Sequence, residues 1–205
     1  MSVRVKICGI TTVEDALACA EAGADAIGLN FWNGSKRRID LARAAEIARA
    51  LQPPVLKVGV FVNAEKSAIE RAIAVAGLDV VQLHGDETPE DCCGFAVPVI
   101  KAIRVTHGGE SLRMIVERFT VDYILLDAGG SGDYGGAGRP FDWRHAAGVA
   151  PGRLFLAGGL HPENVAAAIR IANPYAVDTA SGVEITPGHK DPKRVREFVH
   201  NAKLA

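Results

Sequence analysis

Long apolar runs, a cysteine framework and an excess charge of either sign are all missing from this chain of 205 residues. No apolar stretch approaches the roughly 20 residues needed to span a bilayer. The opening Met1-Ser2-Val3-Arg4-Val5-Lys6 lacks the apolar core of a signal peptide and runs straight into a strand-like pattern. A cytoplasmic protein with no membrane partner is therefore expected. The formal net charge of −1 gives no sign of a nucleic-acid partner, although a local basic patch is compatible with it. The four cysteines, Cys8, Cys19, Cys92 and Cys93, contain no C-x-x-C spacing, so neither a disulfide framework nor a zinc site is expected. Cys19 falls inside an apolar helical pattern and reads as a small core residue. Linkers and low-complexity segments are missing too, and 48% hydrophobic residues can fill a sizeable core. Residues 1–205 are expected to form a single domain.

What is present is alternation. Short β-branched runs stand at Val3–Ile7, Ala26–Phe31, Leu56–Phe61, Val80–Leu83, Val99–Ile103, Tyr123–Leu126, Leu154–Ala157 and Ala176–Asp178. They are mostly apolar, as parallel strands covered on both faces should be. Helical patterns lie between them: Val13–Glu21, Leu41–Leu51, Ala64–Ala76, Pro89–Phe95, Ser111–Phe119, Asp142–Ala147, Pro162–Ala172 and Pro192–Ala202. Thr11/Thr12 and Asp40 can cap two of these, and Gly23, Gly77 and Pro53-Pro54 stop others. Eight such repeats with no chain left over predict an α/β protein that is a compact (β/α)8 TIM barrel. An open, doubly wound sheet is the alternative.

A barrel of this kind keeps its chemistry at the C-terminal strand ends. The first strand delivers Cys8, followed by Gly9 where the backbone can turn tightly. A thiol acts as a base if neighbouring positive charge lowers its pKa, and Lys6 shares its strand face. An inert, buried Cys is the plain alternative. The sixth strand delivers Asp127 after an apolar run, costly unless the carboxylate is paired or working. One base and one acid on nearly opposite sides of the mouth suit a reaction at two ends of a sugar. Asp178, ending the eighth strand, is a competing carboxylate that can equally be structural.

Two loops look built for phosphate. Gly158-Gly159-Leu160 follows the seventh strand and opens onto His161-Pro162, and Ser181-Gly182 follows the eighth. Loops at these two positions form the recurrent phosphate site of the barrel. Lys36, Arg37 and Arg38 follow the second strand, either as a solvated face or with an Arg for a substrate carboxylate. Gln82-Leu83-His84-Gly85 adds a polar pair, in which His84 can be catalytic or merely structural. The segment Gly130-Ser131-Gly132-Asp133-Tyr134-Gly135 matches G-x-G-x-x-G, but Gly136, Gly138 and Pro140 prolong an irregular loop where a dinucleotide site needs a helix. It reads as a loop over the site, and a nicotinamide cofactor is not expected.

Taken together, Lys6-Ile7-Cys8-Gly9-Ile10-Thr11, Ser35-Lys36-Arg37, Val58-Gly59-Val60-Phe61-Val62-Asn63, Gln82-Leu83-His84-Gly85, Phe141-Asp142-Trp143, Gly158-Gly159-Leu160 and Ser181-Gly182-Val183-Glu184 resemble the phosphoribosylanthranilate isomerase family of tryptophan biosynthesis. The resemblance spans nearly the whole chain. It implies a cofactor-free Amadori rearrangement of a small phosphoribosyl substrate by a monomer or homodimer. By position it makes Asp127 the general acid at the ribose ring oxygen and Cys8 the base that removes the proton from the second ribosyl carbon. Arg37 would hold the anthranilate carboxylate, and Gly158, Gly159, Ser181 and Gly182 the phosphate, with His84 and Asp178 also at the substrate. The family commonly has hydroxyl residues where Ala137 and Ala180 stand, and Lys where Arg139 stands; these departures bear on side-chain contacts rather than on the backbone phosphate site. The related histidine-pathway isomerase pairs two aspartates, against which Cys8 argues. A barrel that binds phosphorylated ligands without turnover is the non-enzymatic alternative.

Overall fold

Each strand alternates its side chains between two apolar environments, and that alternation builds the barrel. In the computed structural model, which describes residues 2–105, 111–128 and 141–205, eight strands pair in parallel. They are β1 (Arg4–Cys8), β2 (Ala26–Asn30), β3 (Leu56–Phe61), β4 (Val80–Leu83), β5 (Val99–Val105), β6 (Tyr123–Ala128), β7 (Leu154–Leu156) and β8 (Ala176–Thr179). One set of side chains, including Val58, Ile100, Leu125 and Phe155, fills the barrel interior. The alternate set, including Ile7, Ile27, Leu83 and Leu126, packs outward. Because both faces are buried, the strands read as near-continuous apolar runs.

Closure is made by β8 returning to β1, with Arg4 beside Ala176 and Ile7 beside Thr179. That pairing rules out the open sheet. The helices α1 (Val13–Glu21), α2 (Leu41–Ala50), α3 (Lys66–Ala76), α4 (Leu112–Glu117), α5 (Val165–Ala172) and α6 (Pro192–Lys203) cover the outside. Thr12 and Asp40 cap α1 and α2 by accepting from the N–H groups of Asp15 and Arg43, and Gly77 ends α3 at φ +58°. No helix among the described residues is long and apolar enough to cross a membrane.

Three expected helices are corrected. Pro89–Phe95 forms turns, not a helix. Thr88 and Asp91 bond reciprocally through side chain and backbone, and Gly94 at φ +76° ends the turn before a second can form. Asp142–Ala147 contracts to a 3₁₀ turn over Trp143–Ala146, closed by Gly148 at φ +75°. The helix expected from Pro162 starts at Val165, because the Asn164 side chain accepts from His161 N–H and donates to the Gly159 carbonyl, fixing a turn instead. One element was not expected at all. A hairpin, β9 (Glu184–Thr186) and β10 (His189–Lys190), follows β8. The expected loop over residues 130–140, with Ala137 and Arg139, lies outside the described residues.

Candidate active site

The inward alternation of β1 places Lys6 inside the barrel and brings Cys8, two residues on, to its mouth. Cys8 is partly exposed there. Its sulfur has room only because Gly28 is its partner on β2: a Cβ at Gly28 would stand 2.6 Å from Cys8 Sγ. Gly9, at φ +74°, turns the chain away, and the aliphatic stem of Arg37 packs directly over it.

The charges around this thiol form two groups. Lys6 is fully buried and donates to Asp178 at 2.9 Å. On the other side, Arg37 makes a two-pronged pair with Glu184 at 2.8 and 2.7 Å. Glu184 also accepts from Lys190 at 2.7 Å, and the same ammonium donates to the backbone carbonyls of Cys8 at 2.6 Å and Ala180 at 3.3 Å. Burial raises the thiol pKa of Cys8 above its ordinary value; Lys6 pulls it down, Asp178 pushes it up again, and Lys190 pulls it down. Lys6, the candidate partner from the same strand face, does pull the thiol down, but Asp178 answers its charge. Burial opposes the Lys6 ammonium, but Asp178 and Cys8 together hold its pKa above the usual value. Burial likewise works against the Glu184 carboxylate, yet Arg37 and Lys190 hold its pKa below the usual range.

Asp127 ends the apolar stretch of β6 and is 5% exposed. Its Oδ2 lies 3.2 Å from Nε2 of His84, whose Nδ1 lies 2.8 Å from the Gln82 amide nitrogen. With Gln82 donating, Nε2 carries the imidazole hydrogen and donates to an ionised Asp127. The Gln82 Oε1 atom is buried without a partner among the described residues. Turning that amide over would let Oε1 accept from Nδ1–H, leaving Nε2 to accept from a protonated Asp127.

Beside Asp127, Gly158 at φ +84° passes so close to β6 that a Cβ would lie 2.3 Å from the Ala128 nitrogen and 2.9 Å from Asp127 Oδ1. Gly159 follows at φ +68°. Gly182 is held as tightly: its Cβ would meet the Leu160 carbonyl at 2.0 Å. The Thr179 hydroxyl ties the two loops together by donating to that same carbonyl at 2.7 Å. The N–H groups of Gly158, Gly159, Ser181 and Gly182 find no acceptor among the described residues. They are available to an anion.

One pocket of about 420 Å³ is lined by Cys8, Arg37, His84, Asp127, Gly158, Gly159, Asp178 and Ser181. Gly182 does not line it; it borders an outer cleft with Gly159, Ser181 and Arg194. The polar pair expected from Gln82 and His84 does stand at the pocket, whereas Lys190 was missed in the sequence, as was any role for Glu184. The hairpin that carries Lys190 did have a signal, since Pro187-Gly188 between Thr186 and His189 suits a two-residue turn and Gly188 sits at φ +88°. Among the described residues, no group of three or more His, Cys, Asp or Glu side chains could hold a metal ion.

Residues 5–201 match the model of the N-(5'-phosphoribosyl)anthranilate (PRA) isomerase family. The chain belongs to this isomerase family. A family member from Myxococcus xanthus is 51% identical over 208 residues, covering 99% of this chain and 97% of its own. A phosphoribosyl anthranilate isomerase solved in complex with reduced 1-(o-carboxyphenylamino)-1-deoxyribulose 5-phosphate superimposes with a TM-score of 0.84 at 42% identity, covering 99% of this chain and all of that one. Monomers generated from the dimeric isomerase of Thermotoga maritima give a TM-score of 0.82 at 41% identity, with 99% and 100% coverage. The isomerase fold and its (β/α)8 architecture are common to all three structures, this chain included.

Proposed function

We propose that Cys8 and Asp127 carry the two proton transfers of this phosphoribosylanthranilate isomerase. The chain converts N-(5-phosphoribosyl)anthranilate into 1-(2-carboxyphenylamino)-1-deoxyribulose 5-phosphate, the Amadori step of tryptophan biosynthesis. The observation that carries the assignment is that a thiol and a carboxyl group face one pocket from β1 and β6, with unpaired backbone N–H groups beside it. Asp127, protonated, delivers its proton to the ribose ring oxygen as the bond from that oxygen to the first ribosyl carbon breaks, leaving a protonated Schiff base. The Cys8 thiolate then takes the proton from the second ribosyl carbon, and the electron pair moves to neutralise the iminium nitrogen. The resulting enol tautomerises to the ketone.

Around this chemistry, the loops after β7 and β8 hold the phosphate largely through backbone N–H groups, so the alanine at position 180 leaves that grip intact. Arg37 faces the anthranilate carboxylate while Glu184 fixes its guanidinium plane. His84 serves Asp127, and Asp178 serves Lys6 rather than the substrate. The protein works in the cytoplasm, as a monomer or homodimer.

The test is direct: purified protein is supplied with phosphoribosylanthranilate and loss of its fluorescence is followed. Cys8→Ala and Asp127→Asn should fold and bind product-like ligands while kcat falls by roughly 10²–10⁴. Turnover near that of the parent in either variant rejects that residue's role.

A further inference from the structure

The pocket accounts for Cys8, but not for the lysine buried behind it. Lys190 is 3% exposed, on the second strand of the hairpin whose first strand carries Glu184. The hairpin is strapped to the β1 end of the barrel. The Thr11 hydroxyl donates to the Gly188 carbonyl at 2.6 Å, and Lys190 N–H donates to Asp15 at 3.1 Å. The ammonium then reaches inward to the carbonyl of Cys8, the carbonyl of Ala180 in the phosphate loop, and Glu184. One cation thus joins the backbone of the base, the loop that grips phosphate and, through Glu184, Arg37.

Charge balance points the same way. Lys6 from β1 and Asp178 from β8 pair at 2.9 Å and cancel. Glu184 from β9 faces both Arg37, from the loop after β2, and Lys190, from β10, each at 2.7 Å. Three cations therefore face two anions in these two groups; Asp15, from α1, accepts from the Lys190 backbone N–H rather than from its ammonium. Lys36, His84 and Asp127 stand further round the pocket. A thiolate at Cys8 would bring the cluster to neutrality, and a neutral thiol would leave it charged in a largely buried site.

We propose that Lys190 is a positioning residue for the base: it fixes the Cys8 backbone and supplies the positive charge that a Cys8 thiolate completes. The inference rests on the reading of Cys8 as base. It separates two jobs among the buried lysines, because Lys6 is neutralised in place whereas Lys190 belongs to the group with charge to spare. Arg37 and Glu184 can still pair without Lys190, so removing the ammonium takes away the surplus charge without stranding a carboxylate.

The experiment compares Lys190→Met and Lys190→Arg with the parent protein. Iodoacetamide alkylation of Cys8 is followed against pH by mass spectrometry of its peptide, and kcat/KM is measured over the same range. In Lys190→Met the alkylation midpoint and the acid limb of kcat/KM should both move up by about one pH unit, because the thiolate loses its partner charge. Activity near neutrality should fall about tenfold and return as pH rises, while Lys190→Arg stays close to the parent. An unmoved midpoint in a folded Lys190→Met overturns the proposal. Should that variant not fold, Glu184→Gln supplies the opposite sign: removing a negative charge must move the midpoint down, and an upward or absent change overturns the proposal. Alkylation needs no turnover, so an active Cys8→Ala would defeat the base assignment separately.

Discussion

At the scale of single residues, the site is shaped as much by missing side chains as by reactive ones. Gly28 is the sharpest case. It lies within a regular strand, so no positive φ demands glycine there; what demands it is the Cys8 sulfur, 2.6 Å from where a Cβ would stand. Gly28→Ala should leave the barrel folded, at a cost of about 1–3 kcal/mol for the crowding. Because the new methyl group must push the thiol from its place, kcat/KM should fall by roughly 10²-fold. Steady-state kinetics and urea unfolding on one preparation check both numbers. A fully active Gly28→Ala would show that the thiol need not occupy its observed position. Cys8 and Asp127 were legible in the sequence because each breaks an apolar strand at its C-terminal end. Lys190 was not, because its partners lie at Cys8, 182 residues away, and in a hairpin that had not been expected.

At the scale of elements, the strands were legible and some of the helices were not, and burial is the reason. A parallel strand packed on both faces leaves a continuous apolar run, whereas Pro89–Phe95 had a helix-like start but local bonds between Thr88 and Asp91 that compete with a second turn. Where the helix after β4 is missing, a buried pair takes over its anchoring role. Glu87 accepts from the N–H groups of Asn63 and Gly85, and from Lys101 at 2.7 Å. Lys101 in turn donates to the Gly85 carbonyl at 2.7 Å. The loop that carries His84 is thereby bolted to β5. Glu87→Ala would leave the Lys101 ammonium buried without its carboxylate, and should cost about 3–5 kcal/mol of stability. The slack in the His84 loop should also reduce kcat more than it raises KM. Thermal unfolding and a kcat against KM comparison test the two statements; a loss below ~1 kcal/mol would mean that water reaches Lys101 and the pair anchors nothing.

At the scale of the whole molecule, the reactive groups lie at one end of the barrel, and a cluster of aromatic side chains packs the other. The C-terminal strand ends hold the thiol, the carboxyl groups and close-packed glycines, each a compromise of packing for function. The other end holds aromatic packing: Phe155 meets Tyr123 edge-on at 5.4 Å, and Tyr123 stacks on Tyr175 at 5.3 Å. Phe155 is 8% exposed and belongs to the interior cluster with Ile100, Ala102 and Leu125. Removing its ring leaves a cavity among strands that cannot close without distorting their hydrogen bonds, so Phe155→Ala should lose about 3–5 kcal/mol. The register between β6 and β7 is set by backbone pairing of Ile124 with Leu154 and Leu126 with Leu156, which the substitution leaves in place. The pocket lies beyond those pairs, and kcat/KM at a temperature where the variant is folded should stay within about twofold of the parent. Gly28→Ala is expected to show the reverse pattern, a modest loss of stability with a large loss of rate. Guanidinium unfolding and steady-state kinetics on the two variants, measured side by side, decide whether the two ends are separable. A Phe155→Ala that loses rate in proportion to stability would mean that the barrel transmits strain from its floor to the thiol.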